Sequence, residues 1–147
     1  LSGLTSDQLG AITTTQLGSL TSTNLGALTT TQLGGMTSTE IGVLTTTQAS
    51  GLTAAQITAL NATQAAGFKS TVLSGFTTTQ LGGLTSTEVG ALTTTALSGL
   101  STTNLSALTT TQLDGLTSTL LGSLTTSGSP SRRRPCVRAS ISNWPNR

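Results

Sequence analysis

The side chains that could carry chemistry are few. Asp7, Glu40, Glu88 and Asp114 are the only acids, histidine and tyrosine are absent, and one methionine, Met36, and one cysteine, Cys136, are the only other candidate metal or haem ligands. Acid/base catalysis by carboxylates needs two of them held close together in different environments. These four are scattered along the chain. Haem ligation needs an axial His, Cys, Tyr or Met, and within residues 1–128 only Met36 qualifies. No catalytic, cofactor-binding or metal-ligating residue is therefore assigned, and a non-enzymatic protein is expected.

Composition agrees. Of 147 residues, 7% are charged and 2% aromatic, while 35 are threonine, all before residue 127; enzymes are rarely built this way. Charge divides the chain in two. Residues 1–128 carry Lys69 against the four acids, a net of −3, whereas residues 129–147 carry five arginines and no acid. The overall basicity belongs to the C-terminal stretch, so the body is not expected to bind nucleic acid. No run of 18 apolar residues suggests a membrane span, and one cysteine cannot form an internal disulfide.

What must position any side chain is a repeat of eight. Leu4, Ile12, Leu20, Leu28, Met36, Leu44, Leu52, Leu60, Phe68, Phe76, Leu84, Leu92, Leu100, Leu108, Leu116 and Leu124 form one apolar column. Five places later runs a second, from Leu9 and Leu17 through Ala49, Ile57 and Ala65 to Leu121. The consensus octad is Leu-Thr-Thr-Thr-Gln-Leu-Gly-Gly. A weaker period of 16 alternates Thr-Ser starts, such as Thr21-Ser22, with Thr-Thr starts, such as Thr29-Thr30, which suggests a two-octad structural unit.

Each octad spells a helix start. Fifteen of the sixteen residues after the first apolar column are Thr, Ser or Asn, the exception being Lys69, and such side chains accept a backbone N–H at an N-cap. In ten of fifteen units Gln or Glu follows three residues later, completing a capping box. The apolar residues flanking the cap, Leu28 and Leu33 for example, have the spacing of a hydrophobic staple. Small pairs such as Gly34-Gly35 suit a left-handed helix stop. One helical turn per octad is predicted, stacked as an all-α solenoid because two buried aliphatic side chains cannot offset the ordering of a whole octad alone. A β-solenoid is the alternative, since Thr favours strands, but apolar residues five apart fall on opposite faces of a strand. The array is assigned to residues 1–126, and residues 127–147, with Ser129-Pro130 and Arg132-Arg133-Arg134, read as a disordered basic tail.

Octads such as Leu28-Thr29-Thr30-Thr31-Gln32-Leu33-Gly34-Gly35 and Leu84-Thr85-Ser86-Thr87-Glu88-Val89-Gly90-Ala91 resemble the repeat arrays of very large bacterial surface proteins, often labelled adhesin-like or haem-utilisation-like. The resemblance covers residues 1–126. It implies a secreted or cell-surface spacer or adhesive stalk, whose partners are neighbouring repeats of a longer parent array and surface glycans or proteins held by many weak contacts. The octads contain no haem-ligand motif. The strand alternative implies another role, a threonine array resembling the ice-binding face of antifreeze solenoids. Glu40 and Glu88 read as capping-box variants of Gln, Asp7 as a first-turn acid and Asp114 as a replacement for a stop-position Gly. Asn61-Ala62-Thr63 and Asn104-Leu105-Ser106 match the N-glycosylation pattern, although the cap position explains Asn61 and the third helical position explains Asn104.

Overall fold

The computed structural model describes residues 3–127. In chain order the helices are α1 (Ser6–Gly10), α2 (Thr14–Gly18), α3 (Ser22–Gly26), α4 (Thr30–Gly34), α5 (Ser38–Val43), α6 (Thr46–Ala49), α7 (Ala54–Thr58) and α8 (Ala62–Ala65). They continue with α9 (Ser70–Ser74), α10 (Thr78–Gly82), α11 (Ser86–Ala91), α12 (Thr94–Leu97), α13 (Thr102–Ser106), α14 (Thr110–Leu113) and α15 (Ser118–Ser127). Apart from the longer α15 each is about one turn, one per octad. There is no strand among the described residues, and the all-α repeat solenoid is the architecture.

Local sequence explains the starts. All ten Gln or Glu boxes form, and Asn24 makes an eleventh with Thr21. In α4 the Gln32 N–H donates to Thr29 Oγ1 at 3.2 Å, while Thr29 N–H donates to Gln32 Oε1 at 2.9 Å. Lys69, as its side chain dictates, makes no cap.

The stops differ from the expected left-handed geometry. No described residue has a positive φ, and Gly35 closes α4 at φ −76°, ψ −18°. The helix ends by tightening: Met36 N–H donates back three residues to Leu33 C=O at 3.0 Å. The next apolar residue is then extended, as Leu92 is at φ −61°, ψ 144°, and it leads directly into the next cap.

The coil is three octads long. Every helix from α4 onward packs on the helix three before it, α4 on α1, α5 on α2 and so on to α15 on α12, and sequence neighbours make no comparable contact. The backbone therefore returns over itself after three octads rather than two, and three columns of helices enclose one core. Most of both apolar columns fills it: Leu17, Leu25, Leu33, Ile57 and Leu81 are fully or almost fully buried, as are Leu28, Met36 and Leu52, whereas Leu113 and Leu121 of the second column are exposed. Phe68 and Phe76 meet edge to face, centroids 5.2 Å apart at 77°, an arrangement that aromatic quadrupoles favour.

The two-octad period survives as an alternation of joints. A Cβ on Gly35 would collide with the Ser6 backbone, one on Gly51 with Ser22, one on Gly67 with Ser38, one on Gly83 with Ala54, one on Gly99 with Ser70 and one on Gly115 with Ser86. Every pair has the same sequence offset and sets the end of a Thr-Thr octad, or its Ala variant, against the first helical residue of a Thr-Ser-type octad in the coil beneath. Because three is odd, unlike octads always stack. Where the lower residue is the bulkier Thr14, Thr30 or Thr78, the partner at that offset is Val43, Ala59 or Ala107. By contrast, a Cβ on Gly18, Gly34 or Gly82 meets nothing.

These contacts separate two adjacent glycines. Gly34→Ala should be neutral or raise stability by up to about 1 kcal/mol through helix propensity, whereas Gly35→Ala should lower it by about 1–3 kcal/mol through overpacking, both read by thermal unfolding. Phe68→Ala, which empties a site that is 2% exposed, should cost about 3–5 kcal/mol. Equal, negligible losses at Gly35 and Phe68 would mean that the coils are not packed as described.

Candidate functional site

The most chemically specialised positions are the glutamines at the third residue of each helix. Gln32, Gln48, Gln56, Gln64, Gln80 and Gln112 are buried, which is unusual for a side chain with an acceptor and two donor hydrogens. The oxygen is used within its own octad: Gln56 Oε1 accepts from Thr53 N–H at 2.8 Å. The amide nitrogen is used between coils. Gln56 Nε2 donates to Leu25 C=O at 2.9 Å and Leu28 C=O at 2.6 Å, and Gln48 Nε2 to Leu17 and Leu20, both at 2.8 Å. Gln80 reaches Ala49 and Leu52 at 3.0 and 2.8 Å, and Gln112 reaches Leu81 and Leu84 at 2.8 and 2.7 Å. In each case one carbonyl is the helix-end group of the coil beneath, which also accepts from the N–H of the linking residue, as Leu25 C=O does from Leu28 N–H at 3.1 Å, and the other is the carbonyl of that linking residue.

The ladder is interrupted by composition. Asn104 keeps the donor half, its Nδ2 donating to Phe76 C=O at 3.0 Å, so it is buried and unsuited to glycosylation; Asn61 is exposed and caps α8 through Oδ1, which accepts from Gln64 N–H at 3.0 Å. Val72, Ala96 and Leu120 replace the amide with buried hydrocarbon. Glu40 and Glu88 keep only the acceptor half. Their Oε2 atoms accept from Thr37 and Thr85 N–H, each at 2.6 Å, while both Oε1 atoms are buried with no hydrogen-bond partner. Burial raises the Glu88 pKa above the usual glutamate range, and the hydrogen bonds from Thr85 offset only part of this.

The other sequence candidates are not brought together. Asp7 and Asp114 are exposed on different coils, Lys69 is exposed, and Met36 is buried in the core at 3% exposure. Among the described residues no three His, Cys, Asp or Glu side chains cluster, and no helix is long and apolar enough to cross a membrane. Of the basic tail assigned to residues 127–147, Ser127 is the last residue of α15, and residues 128–147, with the arginines, Cys136 and Trp144, lie outside the described residues. A shallow groove of about 550 Å³ runs between α5 and α8, lined by Met36, Thr37, Asn61, Thr63 and Gln64. Its amide is engaged already: Gln64 Nε2 donates to Leu33, Gly34 and Met36 carbonyls at 3.2, 3.1 and 2.6 Å.

The outer surface is threonine. At the second helical position Thr15, Thr39, Thr63, Thr87 and Thr111 follow one another coil upon coil along the α2–α5–α8–α11–α14 column, all exposed, and Thr23, Thr47, Thr71, Thr95 and Thr119 do so along the next. Neither the family models, nor the curated proteins, nor the solved structures contain a match to this chain.

The capping box was legible from spacing, but the inter-coil use of Gln was missed. The available signal was the preference for Gln over Glu, since an isolated box accepts either and only Gln brings a donor. Gln56→Ala should therefore cost about 2 kcal/mol, because the Leu28 carbonyl and the Thr53 N–H lose their partner in a dry joint while the Leu25 carbonyl keeps only its bond from Leu28 N–H. Gln16→Ala, at an exposed position of the first coil, should cost about 1 kcal/mol. Chemical denaturation of the two variants measures the difference.

Proposed function

We propose that the array is a spacer or adhesive stalk segment of a bacterial surface or secreted protein, and that its properties scale with the number of coils rather than with any one residue. The observation that carries this reading is the repetition of one joint. Each coil reuses the same Gln, Gly and Leu positions against its neighbour, the Gln64 amide in the groove between α5 and α8 is tied up in that joint, and the outward rows are near-identical threonines. Such a surface suits many weak, equivalent contacts and a defined reach.

The face of the first coil supports neighbouring repeats as partners. Gln8 and Gln16 hold their capping boxes there with exposed side chains, and Leu4, Ile12 and Leu20 are only partly buried. Amide donors and apolar side chains in this register match the carbonyls and leucines that every other coil presents to the one above it. The surface location rests on the resemblance of the octads to adhesin-like arrays. The ice-binding alternative rested on stacked strands, so the helical architecture removes its premise.

Deleting two or four octads from the parent protein tests the proposal. Even-numbered deletions keep unlike octads stacked, so the joints survive while length changes. Molecular length in electron micrographs and adhesion should fall in step with the octads removed, and replacing a single exposed threonine such as Thr63 should change neither. Abolition of adhesion by one such surface substitution, with the fold intact, would show a discrete site and overturn the stalk reading.

A further inference from the structure

Half of the joints of the ladder, six of twelve, are closed by a glutamine amide that both accepts and donates. At Glu88 the side chain has the same length and branching, and Oε2 takes the acceptor role toward Thr85 N–H at 2.6 Å. The planar carboxyl then places Oε1 where a glutamine carries its nitrogen. In the same helix column Gln64 aims that nitrogen at the Leu33 and Met36 carbonyls, and Gln112 aims it at those of Leu81 and Leu84. The equivalents for Glu88 are Ile57 and Leu60. Oε1 is buried and has no partner, and Glu88 is 2% exposed.

A carboxylate there would set Oε1 against two carbonyl oxygens, and the one donor among them, Leu60 N–H, is spent on Ile57 C=O at 3.1 Å. Nothing nearby compensates the charge. Helix α11 packs on α8 and α14, neither of which carries a titratable residue, and the nearest such group beyond α14 is the acid Asp114, exposed at its C-cap. Lys69, the sole cation of the array, stands at the start of α9, in a different column.

We propose that Glu88 closes its joint as the neutral acid, Oε1–H donating its single hydrogen to the Leu60 carbonyl in place of one of the two bonds a glutamine amide would make, so that a proton binds this coil to the one beneath and cohesion there is strengthened by acid. The one bond formed is Oε1–H, its proton taken up from a solvent hydronium ion that is left as water. The upward direction of the Glu88 pKa, caused chiefly by burial, agrees. A folded pKa above the unfolded one means that the stabilising contribution is fully present below the ordinary glutamate value of about 4.3 and is lost as the pH rises through the folded value. Glu40 presents the same unpartnered Oε1 to the α2 column, where α2 and α8 likewise bring no titratable group.

The test compares the full chain with Glu88→Gln by thermal unfolding between pH 4 and pH 8 at constant ionic strength. The variant should melt about 3–6 °C higher at pH 8, and the gap should close by pH 4. A gap that does not change with pH would overturn the proposal. In the unaltered chain, the Glu88 side-chain carbon followed by NMR should titrate above a free glutamate, and a midpoint at or below it would also overturn the proposal, whether or not the variant folds. Replacing sodium by choline at pH 8 should leave the melting temperature unchanged. Sodium-dependent stabilisation that disappears in Glu88→Gln would overturn it too, assigning the gap between the oxygens to a cation instead.

Discussion

A one-turn helix has almost all of its backbone groups unsatisfied: the first four N–H and the last four C=O of any helix lack internal partners, and here that is nearly the whole element. The fold depends on how these groups are met without water. A single glutamine per octad meets both kinds, its oxygen taking the N–H at the start of its own helix and its nitrogen taking two carbonyls at the end of a helix in the coil below. Where the glutamine is present, local capping and coil-to-coil cohesion are thus one interaction; where Ala96 replaces it, Thr93 still caps α12 and the coils are joined by apolar packing. Threonine supplies the complementary half, its hydroxyl accepting from the third helical N–H.

Close approach is the second requirement. The glutamine amide can reach carbonyls of the preceding coil, as Gln56 reaches Leu25 and Leu28, only if the coils lie almost backbone on backbone. That distance is set at the glycines. Gly35, Gly51, Gly83 and their equivalents are small because a carbonyl of the coil beneath occupies the space of a Cβ, not because the chain turns into left-handed conformations there. The open glycine position shows the contrast within the same pairs: its column also holds Ser50, Ala66, Ser98 and Asp114.

Element type, the helix starts and the burial of most of the two apolar columns were legible in the sequence, because each rests on interactions within a single octad: the Thr29–Gln32 box, the Leu28–Leu33 staple and the failure of Lys69 to cap; the right-handed stops and the exposure of Leu113 and Leu121 were not. The number of octads per coil was not. Near-identical units carry no pairwise information about which one stacks on which, so the alternation of Thr-Ser with Thr-Thr starts read naturally as a two-octad coil. In three dimensions it records the fit of Gly against Ser and of Ala or Val against Thr across a three-octad return. Glu40 and Glu88 were read correctly as box members, but their cost was invisible, because it lies in carbonyls contributed by another coil.

The length of the coil is the central claim, and Gly83 tests it most directly. With three octads per coil its α-protons lie against Ala54, whose Cα stands 3.0 Å from the place where a Gly83 Cβ would be. With two octads per coil the corresponding neighbour would be Ala62. In a sample with assigned alanines, a through-space NMR contact from Gly83 to the Ala54 α-proton is the expected result, and a contact to Ala62 in its place would contradict the three-octad solenoid.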